Sequence, residues 1–229
     1  MRILLLVLEG PLLAFGAEAV DARGVVGDFP AASMLTGLLA NALGWRRGDH
    51  PALEALQARL RFAARIEREG TRLTDFQTAQ LRKDDRGWTT RGAPEGRDGG
   101  LNTYHSPHIR RRDYDADKRV SVALYLDPAE MAPTLDELAG ALQAPGRPLF
   151  LGRKPCLPER PIFDALVDAP GLLAAFPPTS APARVLLPGD LPAEKQDQHL
   201  TVTDLRNWRS GPHGGQRNVL VRRLASLST

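Results

Sequence analysis

The chain is predicted to be an α+β protein with a ferredoxin-like βαββαβ domain, the arrangement of a split βαβ unit. Three observations predict it. The apolar run Ile3 to Leu8 has the length of a buried strand. "RFAARIERE" and "VSVALYL" alternate apolar and polar residues with a period of two. "SMLTGLLANALG" and "PTLDELAGALQAP" instead repeat their leucines at helical spacing.

Each element can be justified in order. Arg2, the apolar run and the small residues near Ala17 resemble a secretory signal, but Glu9-Gly10-Pro11 would interrupt its apolar centre, so the run reads as the first strand. No run approaches the ~20 apolar residues needed to span a bilayer. After a loop, a first helix opens at Ser33 as N-cap, buries Leu35, Leu38, Leu39, Ala42 and Leu43, and stops at Gly44. A short second helix opens on Pro51 and carries Leu53, Leu56 and Leu60. The strand that follows places Phe62, Ala64 and Ile66 on one face.

From 77 to 118 the apolar pattern gives way to Gly, Arg and Asp, which reads as an insertion, either a mobile arm or a hairpin. Val120, Val122, Leu124 and Leu126 form the third strand. Thr134 and Glu137 have the spacing of a capping box for a helix with Leu135, Leu138 and Leu142 on its apolar stripe. "PLFLG", 148 to 152, is expected to be the fourth strand. "RVLLP", "HLTVTDL" and "NVLVRRL" then read as short strands of a small C-terminal β appendage. The expected division is a first domain at 1–152 and the appendage at 153–229.

Several function classes fall away. The chain of 229 residues has a formal charge of only +3, so the placement of its cations matters more than their number. One cysteine excludes an internal disulfide and fits a reducing cytoplasm. His105 and His108 have ligand spacing only on a helix, which Pro107 opposes, and no CxxC is present. There is no GxSxG elbow, GxGxxG turn or P-loop. Cys156, between two prolines, reads as a small buried hydrophobe.

Basic clusters remain. Arg82, Lys83 and Arg86 flank Trp88, while Arg110, Arg111 and Arg112 precede Tyr114, Lys118 and Arg119. Arginine and lysine neutralise phosphates, and Trp88, Tyr104 and Tyr114 suit stacking on bases. The interleaved acids Asp84, Asp85, Asp113, Asp115 and Asp117 leave a second reading open, a self-neutralising surface. Gly152-Arg153-Lys154 reads either as a phosphate nest or as a tight turn bearing two surface cations.

Three stretches, in this order, carry a resemblance: "GPLLAFG", "FPAASMLTGLLANALGWRR" and "LFLGRKPCLPERPIF". They resemble the CRISPR-associated CasD family, the subtype I-E branch of the Cas-five RAMP proteins. "RRRDYDADKRVSVALYL" matches a further basic stretch before a strand, and the likeness spans roughly residues 1 to 165. It implies a RAMP domain whose 77–118 insertion is a thumb that inserts beside a neighbouring subunit. It also implies a non-catalytic, cytoplasmic Cascade subunit without cofactor or metal, which caps the five-prime handle of the CRISPR RNA (crRNA). The implied partners are that handle, the backbone subunit CasC, the large subunit CasA and, through the complex, target DNA.

Phe15, Gly16, Ser33, Gly152 and Arg153 match the family's motifs, Lys154 keeps their charge, and Arg23 stands near an expected basic position. With Arg82, Lys83, Trp88, Arg110, Arg111, Arg112 and Tyr114, these are the expected RNA contacts. Ala31 and Ala32 depart from the polar or basic residues usual before the serine. The rival expectation is a metal-independent endoribonuclease processing repeat RNA through Tyr104, His105, Tyr114 and Lys118.

Overall fold

The computed structural model describes residues 1–17, 23–80, 87–88, 94–95 and 108–225, with the backbone alone at 87, 88, 94, 95 and 108. In chain order the elements are β1 (Arg2–Glu9), β2 (Leu12–Leu13), β3 (Arg23–Gly24), α1 (Ala32–Ala42), α2 (His50–Arg59), β4 (Leu60–Arg68) and β5 (Thr71–Ala79). There follow β6 (Gly87–Trp88), β7 (Pro94–Glu95), β8 (His108–Ala116), β9 (Arg119–Leu126), α3 (Leu135–Gln143), β10 (Phe163–Asp168), α4 (Leu172–Ala175), β11 (Ala183–Pro188), β12 (Gln198–Arg206) and β13 (His213–Leu224).

Seven strands form one antiparallel sheet in the order β10-β1-β9-β4-β11-β13-β12. β1 is buried along almost its whole length because both faces of the sheet are covered. On one face Leu4, Leu6, Leu8, Phe62, Ala64, Val122 and Leu124 pack under Leu35 and Leu39 of α1, Leu56 of α2 and Leu138 of α3. On the other, Ile3, Leu5, Ala63, Ala123 and Val185 lie under Leu172, Ala175 and Phe176. Burying each such aliphatic side chain contributes roughly 1.5–3 kcal/mol, so this two-sided sheet is the main source of stability.

α3 begins as its sequence predicts. Thr134 Oγ1 accepts from Glu137 N at 3.3 Å, and Glu137 Oε2 accepts from Thr134 N at 2.7 Å. α1 differs by one detail that matters for function: its N-cap is Ala31, not Ser33.

One expectation is overturned. Residues 148–152 form no strand. Leu151 N–H donates instead to the Cys156 carbonyl at 2.7 Å, and Cys156 N–H to the Arg153 carbonyl at 2.9 Å, so the segment folds back on itself. The strand place beside β1 belongs to β10, whose half-exposed pattern at the sheet edge gives little period-two signal. Beyond the main sheet, a paired arm begins at Thr71. β5 pairs with β8 over nine consecutive rungs, from Thr71↔Ala116 to Ala79↔His108. β3 joins the far side of β8 in parallel, and β2 pairs with its end.

The three C-terminal strands occur where the sequence places them. β11 joins the main sheet by pairing with β4, so these strands extend it.

Candidate nucleic-acid interface

The loop 148–156 and the Gly-Pro turn after β1 explain one another. Gly152 has φ of +102°. A Cβ there would fall inside the shell of the Ala14 carbonyl oxygen. Ala14 N–H donates to Leu151 O at 3.0 Å, so two backbones touch where a side chain would separate them. Gly10 does the same from the other side, since its Cβ would lie 2.5 Å from Leu157 O.

Arg153 then bolts this loop to the arm. Its Nη1 donates to Asp113 O at 2.7 Å and its Nη2 to Gly24 O at 2.8 Å. Its Cζ stands 5.1 Å from the centroid of the Tyr114 ring. A guanidinium spent on two carbonyls and an aromatic face is an internal tie. Cys156 beside it is fully buried, and burial pushes its thiol pKa up, so it stays a protonated packing group.

Facing rungs of β5 and β8 share a face. Along one face, from root to tip, stand Arg72 with Asp115, Thr74 with Asp113, Phe76 with Arg111, and Thr78 with Ile109. The root is internally satisfied. Arg72 Nε donates to Asp115 Oδ1 at 2.7 Å, buried Lys118 donates to Asp115 Oδ2 at 3.0 Å, and Thr74 Oγ1 donates to Asp113 Oδ1 at 2.7 Å. That hydroxyl and the nearby Arg23 guanidinium hold the Asp113 carboxyl below its usual range, against the cost of burial. The outer half is open. Phe76 is 57% exposed and Ile109 45%, and no carboxylate pairs with Arg110 or Arg111 among the described residues.

The start of α1 is also taken. Ala32 N–H donates to Asp204 Oδ2 at 2.9 Å, and that carboxylate is clamped by Arg217 at 2.8 Å. Ser33 is buried, and its Oγ lies 3.2 Å from His213 Nε2. An internal carboxylate therefore stands where the sequence suggested a phosphate oxygen. No local signal pointed to Asp204, Arg217 or His213, which come from strands more than 170 residues away in the chain.

The expected contacts thus divide. Phe15 and Tyr114 are core residues, Ser33 is partnered internally, and Arg153 and Gly152 build the loop, so each of the five has a structural role inside the chain. Gly16 is exposed beside its bridge to Val26. Arg112 is half-buried over Gly24. Arg23, Arg110, Arg111 and Lys154 are exposed. Arg82, Lys83 and the Trp88 side chain lie outside the described residues, as do Tyr104 and His105. Phe76 was missed because "TRLTDFQTA" exposes both of its large apolar residues, Leu73 and Phe76, and so shows no buried face.

A family model described as CRISPR-associated protein (Cas_Cas5) matches residues 3–220. The chain belongs to this family. The "CRISPR system Cascade subunit CasD" of Escherichia coli (strain K12) is 31% identical over 169 residues, covering 70% of this chain and 69% of that one. A solved structure named "CRISPR RNA-guided surveillance complex" superposes with a TM-score of 0.68 at 25% identity, covering 98% of this chain and 90% of its own. Another, "Crystal structure of Cas protein", gives 0.60 at 24% identity, covers 97% and 93%, and shows the shared fold. The CasD resemblance read from the three motifs is thereby borne out. No described helix of this Cas5-family protein is long and apolar enough to cross a membrane.

Proposed function

We propose that this chain is a non-catalytic subunit of a type I-E Cascade complex that caps the five-prime handle of the crRNA. The observation that carries the reading is the outer half of the β5–β8 arm. It presents Phe76, Ile109 and Arg111 on one face and Arg110 on the other, with neither arginine paired to a carboxylate among the described residues. An apolar surface beside a cation suits an unstacked base next to its phosphate. The relative's name, a Cascade subunit, and the RNA-guided complex among its structural neighbours support the same assignment.

In this reading β10, β1, β9 and β4 with α1 and α3 are the ferredoxin-like unit, and the β5–β8 arm is the thumb. That unit ends after β10, beyond residue 152, and β11 to β13 are its extension. Arg23, Arg110, Arg111 and Lys154 contact phosphates, joined by Arg82, Lys83 and Trp88. Gly10, Gly152 and Arg153 hold the platform rigid. CasC, CasA and the crRNA are the partners, target DNA is met through the complex, and the site of action is the cytoplasm.

The endoribonuclease reading is disfavoured by burial. Tyr114 lies in the core, and Lys118 is committed to Asp115 at 3.0 Å, so neither is free to assist a ribose hydroxyl. Incubating the protein with repeat RNA in EDTA should leave the RNA intact, and specific cuts would restore that reading. Replacing Arg110 and Arg111 together by alanine should weaken binding of handle-bearing RNA at least tenfold, measured by anisotropy, without moving the unfolding midpoint. Equal affinity for handle-bearing and scrambled RNA in the assembled complex would defeat the proposal.

A further inference from the structure

A second cationic site lies away from the arm, around the β12–β13 loop. Arg47 follows the stop of α1, in the connection to α2, and Arg206 closes β12. Their Nη2 atoms flank Gly211, each 3.9 Å from the point a Cβ on that glycine would occupy. They are therefore no more than twice that distance apart. Gly211, at φ +99°, turns the backbone there and leaves the gap between them free of any side chain of its own.

No described residue neutralises this pair. Among the described residues neither arginine meets a carboxylate, while Asp204 is held by Arg217 at 2.8 Å and Glu54 faces Arg209 at 3.7 Å. Arg206 is also held in place. Its backbone exchanges hydrogen bonds with the Gln57 side chain at 3.0 and 3.1 Å, and its guanidinium lies 5.1 Å from the Trp208 ring centroid. Trp208 is itself buried against Ala40 and Leu53. The Arg206 Nε is sealed from solvent and has no hydrogen-bond partner among the described residues, which leaves its two Nη atoms to meet a ligand. Burial first, and the charge of Arg47 second, lower the pKa of Arg206. Two like charges this close repel one another, and an anion between them removes that cost.

We infer that Arg47 and Arg206 form a phosphodiester-binding site, a second point at which this chain grips a nucleic-acid strand. One phosphate accepting hydrogen bonds of about 2.8 Å on each side spans such a gap. Both guanidiniums would also fit a carboxylate. The choice of phosphate rests on the proposed RNA-binding role and on the RNA-guided complex among the structural neighbours. Contacts from guanidiniums to a phosphate carry no sequence information, so the site is indifferent to sequence.

The test uses the full chain and labelled single-stranded RNA, with anisotropy read across a salt series. Arg47→Ala should weaken handle-bearing and scrambled RNA alike, about three- to tenfold, and reduce the slope of log affinity against log salt by about 0.7. Arg206→Lys, which keeps a cation above Trp208, should lose less than Arg47→Glu. Since Arg47 is exposed, the unfolding midpoint of Arg47→Ala should not move. Unchanged affinity and slope in both arginine variants would overturn the site. Polyglutamate that displaces RNA from the wild type but not from Arg47→Ala would reassign it to an acidic protein partner. Loss of binding in the Arg110/Arg111 variant alone leaves the arm reading intact and removes this site, and the reverse result does the opposite. A wild type that fails to bind RNA at low salt overturns both.

Discussion

The two halves of the β5–β8 arm carry the same kinds of residue and spend them differently. At the root, Arg72 and Lys118 are held by Asp115, and Asp113 takes the Thr74 hydroxyl. Two rungs out, Arg111 stands opposite exposed Phe76, with no carboxylate ion-paired to it among the described residues. The root cations stabilise the arm, whereas the outer cations meet no carboxylate among the described residues and are the ones proposed to grip RNA. Arg153 and Arg111 make the same point across the platform. One bonds Asp113 O and Gly24 O, and the other meets no acceptor of its own chain among the described residues. A cation's value for binding thus depends on whether the fold has already used it.

The largest break in this contrast should come from Gly152→Val. The new side chain would meet the Ala14 carbonyl at a backbone angle that valine avoids. The expected destabilisation exceeds about 3 kcal/mol in urea unfolding, by combined overpacking and backbone strain. Lost RNA binding at unchanged stability would instead return Gly152 to a direct phosphate role.

Next is Arg153→Ala, which strands the Gly24 and Asp113 carbonyls and uncovers Tyr114. About 2 kcal/mol of stability should go, and lysine should not restore it, because a point charge cannot serve two carbonyls in a fork. The same deletion at Arg111 should leave the urea midpoint in place. If both variants behave alike, the division between platform and gripping surface is wrong.

The smallest effect concerns pH at the root. Asp113 has a lowered pKa, set first by the Thr74 hydroxyl, so its contribution is full above the ordinary value of 3.8 and is lost as pH falls through the lowered one. The stability advantage of the wild type over Thr74→Val should therefore be present at neutral pH and shrink in acid. An advantage that grows on acidification would show that the hydroxyl is not bonded to the ionised carboxylate.

The central sheet was legible because burial imprints a period. β1, β4 and β9, the capped α3 and the leucine face of α1 all lie where apolar spacing places them. β10 was not, since a half-exposed edge strand has no clean alternation, and "PLFLG" carried a stronger apolar run without a neighbour to pair with. Most of the candidate site resisted for another reason. Gly10, Gly152 and Arg153 stood out in their motifs, but their partners, Leu157 O, Ala14 O, Gly24 O and Asp113 O, are backbone atoms that no residue type announces.

The order of residues alone settled which segments are apolar every second or every fourth position, and three short motifs were enough to name the family. Those features are local, carried by neighbours in the chain. Whether a given arginine remains available, and whether the start of α1 is open or already holds Asp204, was decided only when distant segments met. A charge is neutralised by what lies within a few ångströms of it, and sequence distance does not measure that.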